Sequence, residues 1–279
     1  MTAVNDATLL ERITMALATV GGVSAIVLGG SRARGTATED SDYDIGLYYE
    51  PSAPLDIAAL KSTVAMLDDR GPATEVTAIG GWGPWINGGG WLAIAGTRVD
   101  LLYRDLGRVR DVIRDCRAGE IVCHFQPGHP HGFVSAIYAG EVATCQPLWD
   151  PASVVQPLKA LTTPYPAPLR DALTTRFIWE AQFAIGNARH GSGRDDVHYV
   201  SGCCFRAIAS LCQVIAAQNG TYLLNEKGAV ALADRLPHTP SRFAPRVEWL
   251  YRQVGTGRLG EALDGLERLL SETAALKIS

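Results

Sequence analysis

The sequence predicts an α+β chain, with an N-terminal mixed β-sheet flanked by helices and a C-terminal all-α helical bundle. In the first half, apolar or alternating runs of strand type are interspersed with helical segments and glycine-rich turns. In the second half, apolar residues recur at helical spacing, and short breaks with glycine or proline separate the segments. We therefore expect two domains, residues 1–148 and 149–279.

The composition indicates an ordinary globular chain. Of 279 residues, 47% are hydrophobic and 19% are charged, and the formal net charge is −4. A general nucleic-acid-binding protein would carry a basic surface, so a nucleic-acid partner is not expected. The six cysteines form no C-x-x-C pair, which favours reduced, buried thiols. No basic leader and no apolar run of about 18 residues is evident, so we expect a cytoplasmic protein without a membrane span.

The first elements lead into a glycine turn. A helix is predicted over residues 7–20, and the apolar run 23–28 predicts a buried strand. The strand ends at Gly29 and Gly30, which allow the backbone to turn sharply and to approach a ligand closely. Ser31 then begins a short helix, where its hydroxyl and the free N–H groups of the first turn can face a phosphate.

Two aspartates follow this turn on one strand. The alternating run 41–49 places Asp42 and Asp44 on the same face and the apolar residues on the other. Two carboxylates on one face repel each other unless a cation lies between them. Magnesium is commonly held by one or two carboxylates together with substrate phosphates, so a Mg²⁺ site is expected here.

These residues resemble the fingerprint of nucleotidyltransferases of the DNA polymerase β superfamily. That fingerprint is a Gly-Ser pair, a spacer of about ten residues, Asp-x-Asp, and a third carboxylate on a later strand; here it is Gly30-Ser31, Asp42-x-Asp44 and Asp100. The resemblance covers roughly residues 20 to 105. It implies that the three aspartates are catalytic and bind two Mg²⁺ ions, and that Gly30 and Ser31 bind the nucleotide.

The stretch between these motifs contains further candidates. Arg32 is taken as a nucleotide-binding residue, although for it and for Arg34 a solvated position is an equal alternative. A helix is predicted over 55–69, a strand over 75–79, and a hairpin over 91–104. Three tryptophans lie in the glycine-rich segment 80–91. Their rings, Trp85 among them, either stack on a base or acceptor or close the core.

The segment that follows contains three histidines. After a helix over 107–118, His124, His129 and His131 lie in a predicted loop over 123–133. Their spacing does not match a structural zinc site, so zinc is not expected. A helix over 133–143 follows, and the proline-containing segment 146–151 is interpreted as the domain boundary.

The second half is predicted to be helical, with a mostly apolar, central helix. The predicted helices cover residues 152–161, 168–189, 197–218, 226–235, 241–254 and 259–276. This layout is similar to the aminoglycoside nucleotidyltransferases, in which the bundle completes the cleft. The similarity implies that Lys227 and Tyr251 contact the nucleotide and that Asp196, primarily a helix cap, contacts the acceptor. Glu180 is either a base in the cleft or, by preference, a surface residue.

The resemblance implies Mg²⁺-dependent transfer of a nucleoside monophosphate, AMP from ATP, to a hydroxyl of a small, aminoglycoside-like acceptor. Asp100 or an acid on the bundle would accept the proton. Transfer to a tRNA or protein is the second reading, and a non-catalytic nucleotide-binding protein is the third. The clustered carboxylates argue against the third, because binding alone does not require them. Acceptor identity, base preference and oligomeric state are left open.

Overall fold

The computed structural model describes residues 6–276, which form one five-stranded sheet, one separate two-stranded hairpin and eleven α-helices. The strands are β1 (Ala25–Leu28), β2 (Tyr43–Tyr49), β3 (Gly89–Ile94), β4 (Thr97–Asp105), β5 (Cys123–Gln126), β6 (His129–Val134) and β7 (Gln146–Trp149). The helices are α1 (Asp6–Leu17), α2 (Gly30–Ala33), α3 (Ile57–Leu67), α4 (Leu106–Ala118), α5 (Ala136–Thr144), α6 (Val155–Thr162), α7 (Ala167–Ser192), α8 (Val197–Gln218), α9 (Ala229–Arg235), α10 (Phe243–Gly255) and α11 (Leu259–Ala274). The predicted α+β class is confirmed.

The five-stranded sheet has the order β3-β4-β2-β1-β7. Only the pair β2–β4 is parallel among these neighbours, so the sheet is mixed. The alternating apolar residues of β2, such as Ile45 and Leu47, pack in one core with Ile13 of α1 and Leu60 of α3. Because side chains alternate along a strand, Asp44 lies on the opposite face of the sheet from this core.

Three segments differ from the sequence-based expectation. Residues 75–79 form no strand, because one ladder-like bond, from Thr77 N to Gly89 O (2.9 Å), is too few to build one. Residues 123–133 form the hairpin β5–β6 instead of a loop. The segment 146–151 begins with β7, which pairs antiparallel with β1 at the edge of the sheet. Of these three segments, only β7 pairs with a strand distant in sequence.

The chain divides into two compact units that interleave in sequence. The first comprises residues up to Arg114 together with Tyr138–Thr163, and the second comprises Asp115–Ile137 together with residues from Pro164 onward. The sequence-based expectation was instead a single boundary after residue 148. Helix α6 belongs to the first unit because Lys159 Nζ donates to three carbonyls at the end of α5, among them that of Cys145 at 2.6 Å.

The second unit is built around α8. Its core joins α7, α8, α9, α10 and α11, and α8 contributes buried residues along most of its length. By length and composition alone α8, which includes Arg206, is apolar enough to cross a membrane. However, 78% of its apolar window is buried inside the protein, as befits the core helix of a bundle.

All six cysteines, each within the described part of the chain, are free thiols. Four are buried, and Cys123 and Cys203 are partly exposed. Burial raises the pKa of the buried Cys204 to about 11, so this thiol is protonated near neutral pH.

Candidate active site

The turn after β1 lies directly against Asp44. Gly29 N donates to Asp44 O (2.8 Å), and Gly30 has a φ of +62°, a conformation that favours glycine. A Cβ on Gly30 would overlap Oδ2 of Asp44. The sequence-based interpretation assigned this space to a phosphate, whereas the structure shows that the Asp44 carboxylate occupies it. Gly30 is therefore required so that Asp44 can lie against the turn.

The parallel pairing of β2 with β4 brings Asp44 and Asp100 together. The two residues are directly opposite each other in the register. In parallel strands such neighbours project from the same face, so both carboxylates point away from the α1/α3 core. Asp42 precedes the first residue of β2 and lies in the loop that enters the strand. All three aspartates are partly buried.

The charges of Asp42 and Asp100 act on Asp44. Burial and then the charges of Asp42 and Asp100 raise the pKa of Asp44 to about 6, and Glu141 acts in the same direction. The charge of Arg34 lowers it. Carboxylates that lie close together repel one another when they are charged, and a bound cation offsets this repulsion.

The donor set fits a magnesium ion that shares its coordination with phosphates. Among residues 6–276, no group of three or more His, Cys, Asp or Glu side chains converges to hold a metal by itself. Magnesium requires fewer protein ligands than this, because one or two carboxylates plus substrate phosphates are sufficient. Asp42 and Asp44, with Asp100 beside Asp44, can supply them.

The two arginines after the turn have different surroundings. Arg32 donates to the backbone carbonyls of Ser41 and Asp42 and lies over the ring of Tyr43, 3.9 Å from its centroid. Arg34 is exposed, and its charge reaches Asp44. The nucleotide-binding role expected of Arg32 stays a prediction, and Arg34 is a second candidate because its charge acts on Asp44. Both arginines were candidates from the sequence, and only their contacts in the structure distinguish them. Ser31, in α2, is partly exposed.

Trp85 corrects the expectation of a ring that stacks on substrate. It is only 6% exposed, its carbonyl accepts from the hydroxyl of Tyr138 (2.5 Å), and the guanidinium of Arg108 lies 4.6 Å from its ring centroid. It closes the core, as the alternative interpretation held. The other two tryptophans, Trp82 and Trp91, stack on each other with centroids 4.5 Å apart, and Trp91 is 64% exposed.

An ion pair between a buried arginine and a partly exposed glutamate lies on the same sheet face as the aspartates. Arg104, four residues after Asp100 on β4, donates to both carboxylate oxygens of Glu141 (2.7 and 2.6 Å). Burial works against the charge of Arg104, but Glu141 raises its pKa far above the ordinary value. This pair was not foreseen from the sequence, because nothing local connects two residues 37 positions apart.

The candidates in the second unit lie at its surface. Lys227 is exposed, in a turn where its N–H donates to Asn225 Oδ1 (2.8 Å). Asp196 caps α8 by accepting from Tyr199 N (3.0 Å), as its position predicted. Tyr251 is 38% exposed and lines an open, largely apolar pocket of about 700 Å³ between α7, α8 and α10. Their proposed contacts with nucleotide or acceptor remain predictions.

The histidine hairpin binds two glutamates of the second unit. Glu226 accepts from the N–H of His131 (2.9 Å) and from the ring of His129 (3.1 Å). Glu180 accepts from the ring of His131 (3.0 Å) and pairs with Arg206 (2.7 Å). Burial acts to raise the pKa of Glu180, but these partners hold it below the ordinary value. Glu180 is thus buried, which corrects the preferred surface interpretation, and His129 and His131 have a structural task.

Comparison with known proteins gives a family match in the N-terminal part of the chain. Residues 10–77 match the model of the nucleotidyltransferase domain family, a stretch that contains the glycine turn and the first two aspartates. Among solved structures, a nucleotidyltransferase-like protein from Exiguobacterium sibiricum 255-15 is 14% identical, with a TM-score of 0.43 over 93% of this chain and 73% of that chain. A search of curated proteins found no match.

Proposed function

We propose that this chain, whose residues 10–77 match the nucleotidyltransferase domain family, transfers AMP from ATP to a hydroxyl of a small-molecule acceptor in a Mg²⁺-dependent reaction. The observation that carries this proposal is the register of Asp44 with Asp100 beside the Gly29-Gly30 turn. This register places two carboxylates side by side next to the turn, and the charge of Arg34 acts on Asp44 from the same unit.

The residues of the first unit have distinct tasks in this proposal. Asp42 and Asp44 would hold two Mg²⁺ ions, with Asp100 as a further ligand. Bound magnesium supplies charge neutralisation on the phosphates and a lowered pKa of the attacking hydroxyl. Ser31, through its hydroxyl, and the N–H groups of the turn would hold the departing phosphates. Arg34 adds a positive charge.

The proton of the acceptor hydroxyl requires a base. Asp100 is our candidate, because it lies across from Asp44 and is only partly buried. General bases act at hydrogen-bonding distance, and a carboxylate on a strand next to the metal ligands can reach a hydroxyl held there. Alignment of the hydroxyl with the α-phosphate and neutralisation of the phosphate charge would then supply most of the rate acceleration.

The second unit would contribute to substrate binding. Lys227 is proposed as a point charge on the outer phosphates and Tyr251 as a further nucleotide contact. For an aminoglycoside-like acceptor, which carries ammonium groups, Asp196 is the proposed carboxylate partner. Its side chain is exposed, although it already accepts the capping hydrogen bond of α8.

The direct test is transfer of radioactive label. The protein would be incubated with each α-³²P-labelled nucleoside triphosphate, Mg²⁺ and pools of hydroxyl-bearing acceptors, aminoglycosides included. We expect label in a small-molecule product with ATP and none when EDTA is present. Labelled tRNA or labelled protein would instead support transfer to a macromolecule, and an absence of label from every pool would argue against transferase activity on these acceptors.

A further inference from the structure

Asp42 lies outside the strand ladder that holds Asp44 and Asp100. The register of β2 with β4 begins at Tyr43, and that with β1 begins at Ile45. The preceding residues form an irregular loop, in which Ser41 N donates to Thr38 O (3.0 Å). A metal ligand at the end of such a loop needs support from elsewhere in the fold, because loops define side-chain positions less tightly than strands do.

Arg32 provides that support from α2. Its Nε lies 3.2 Å from Ser41 O and 3.3 Å from Asp42 O, and a terminal nitrogen lies 2.8 Å from Ser41 O. The guanidinium also lies over the buried ring of Tyr43. Arg32 therefore contacts three successive residues: the one before Asp42, Asp42 itself and the one after it. These contacts restrict the peptide planes on both sides of the Asp42 Cα, which set the direction of its Cα–Cβ bond and so limit where its carboxylate can lie.

The chemistry of the side chain suits this task. A guanidinium is a planar fork with several donors, so it can bond two successive carbonyls and stack on a ring at the same time. A lysine at this position would reach one carbonyl as a point charge and could not stack in the same way. Removal of a group that orients a metal ligand commonly lowers metal affinity, even though the group does not contact the metal.

We propose that Arg32 is a positioning residue, which orients the Asp42 carboxylate for metal binding by holding the Ser41–Asp42 backbone against Tyr43. The inference rests on the proposed function, since it presupposes that Asp42 binds the metal. It differs from a phosphate-binding role for Arg32, which would act on the nucleotide directly. Arg34, exposed and two residues further on, is the residue that can take that role.

The test separates metal affinity from nucleotide affinity. Binding of Mn²⁺ to the protein with ATP would be followed by electron paramagnetic resonance, and binding of ATP in EDTA by calorimetry. For Arg32→Ala we expect Mn²⁺ affinity to fall roughly tenfold to a hundredfold, with metal-free ATP affinity unchanged. Arg34→Ala, the matched control, should weaken metal-free ATP binding and leave Mn²⁺ affinity nearly unchanged.

Measurements in the Asp42→Asn background distinguish an effect of Arg32 through Asp42 from a general structural effect. If Arg32 acts through Asp42, then Arg32→Ala should cost little further Mn²⁺ affinity once Asp42 is replaced. Arg32→Lys keeps the charge and should retain an intermediate affinity; it also serves as the test variant if Arg32→Ala does not fold by circular dichroism. Equal losses in both backgrounds, or a loss of metal-free ATP binding in Arg32→Ala, would overturn the inference. Wild-type protein that binds no Mn²⁺ with ATP would refute the proposed function itself.

Discussion

Gly30 and Asp44 depend on each other at the scale of single residues. The glycine adopts a positive φ, and the space in which its Cβ would lie is filled by the carboxylate of Asp44. A side chain at residue 30 would thus displace the aspartate as well as strain the turn. The glycine turn and the Asp-x-Asp motif, separate in sequence, are in this sense a single structural feature.

We predict that Gly30→Ala abolishes nucleotidyl transfer. The added methyl group requires Asp44 to move, which removes it from Asp100 and from the metal position. Gly35→Ala is a matched control, because Gly35 also has a positive φ (+68°) but has no atom within 4 Å of the point where a Cβ would lie. Backbone strain alone should cost each variant about 1 kcal/mol of folding free energy, and the clash with Asp44 adds to the cost for Gly30→Ala only. Transfer rates under saturating ATP would distinguish them, and equal activity would contradict the clash.

Asp44→Asn should lower the transfer rate by roughly a hundredfold or more, because a metal ligand is lost. Its stability in urea should be equal to or slightly above that of the wild type, because one of several neighbouring negative charges is removed. Asp111→Asn, which alters an exposed carboxylate paired with Arg114 on α4, is the control for charge alone. Retention of more than about a tenth of the wild-type rate would exclude Asp44 as a metal ligand.

At the scale of elements, Asp68 links the end of α3 to the sheet. Its carboxylate accepts from Ala93 N of β3 (3.0 Å) and from the guanidinium of Arg70 (2.9 and 2.8 Å), which also donates to the carbonyl of Trp91. The side chain of Asp68 is fully buried. The hydrogen bond from Arg70 is the main reason that the pKa of Asp68 lies far below its ordinary value of 3.8. The charged form of Asp68 therefore stabilises the native fold.

The stabilisation by Asp68 should depend on pH in a defined direction. Because the folded-state pKa is lowered, the stabilisation is complete above the ordinary value of 3.8 and is lost as the pH falls toward the folded-state pKa. We expect Asp68→Asn to cost about 2 kcal/mol at pH 7, and the difference from wild type to shrink below about pH 4. Denaturant titrations at several pH values would measure it.

The Arg70→Ala background provides the control for this prediction. It removes the largest cause of the lowered pKa while leaving the backbone donors to Asp68 in place. The pH dependence of the Asp68→Asn effect should be weaker in that background. A difference that is unchanged from pH 7 to pH 3 in the wild-type background would show that Asp68 contributes no charge-dependent stability.

At the scale of the whole molecule, the chain crosses between its two units more than once. The hairpin β5–β6 precedes α5 and α6 in sequence, yet it belongs to the second unit, whereas α6 belongs to the first. Glu180 and Glu226 hold the hairpin, and Lys159 holds α6. Each unit therefore includes segments that a single boundary would assign to the other.

Lys227 provides the prediction at this scale, since it belongs to the second unit and the aspartates to the first. If Lys227 contacts the outer phosphates, Lys227→Ala should raise the KM for ATP about tenfold and should change kcat little. A change of about tenfold corresponds to the free energy that a hydrogen bond to a charged group usually contributes. Lys61→Ala, at an exposed position of α3, is the control. Steady-state kinetics with varied ATP would measure both, and an unaltered KM in Lys227→Ala would exclude the contact.

The sequence by itself determined the local features of this protein. Alternation identified the strand that carries Asp44 and the strand that carries Asp100, and helical spacing identified the second half as a bundle with α8 at its centre. The glycine turn and the cap at Asp196 were also predictable. These features depend on residues a few positions apart, because backbone conformation and side-chain periodicity are local properties.

Only the tertiary structure decided which distant segments meet. It showed the parallel register that places Asp44 opposite Asp100, the pairing of β7 with β1, and the burial of Trp85. It also assigned Arg32 to the backbone before β2, and His129 and His131 to buried glutamates. A local pattern indicates that a side chain will be buried or paired, but it does not identify the partner. The partner depends on packing and pairing energies summed over residues far apart in the chain.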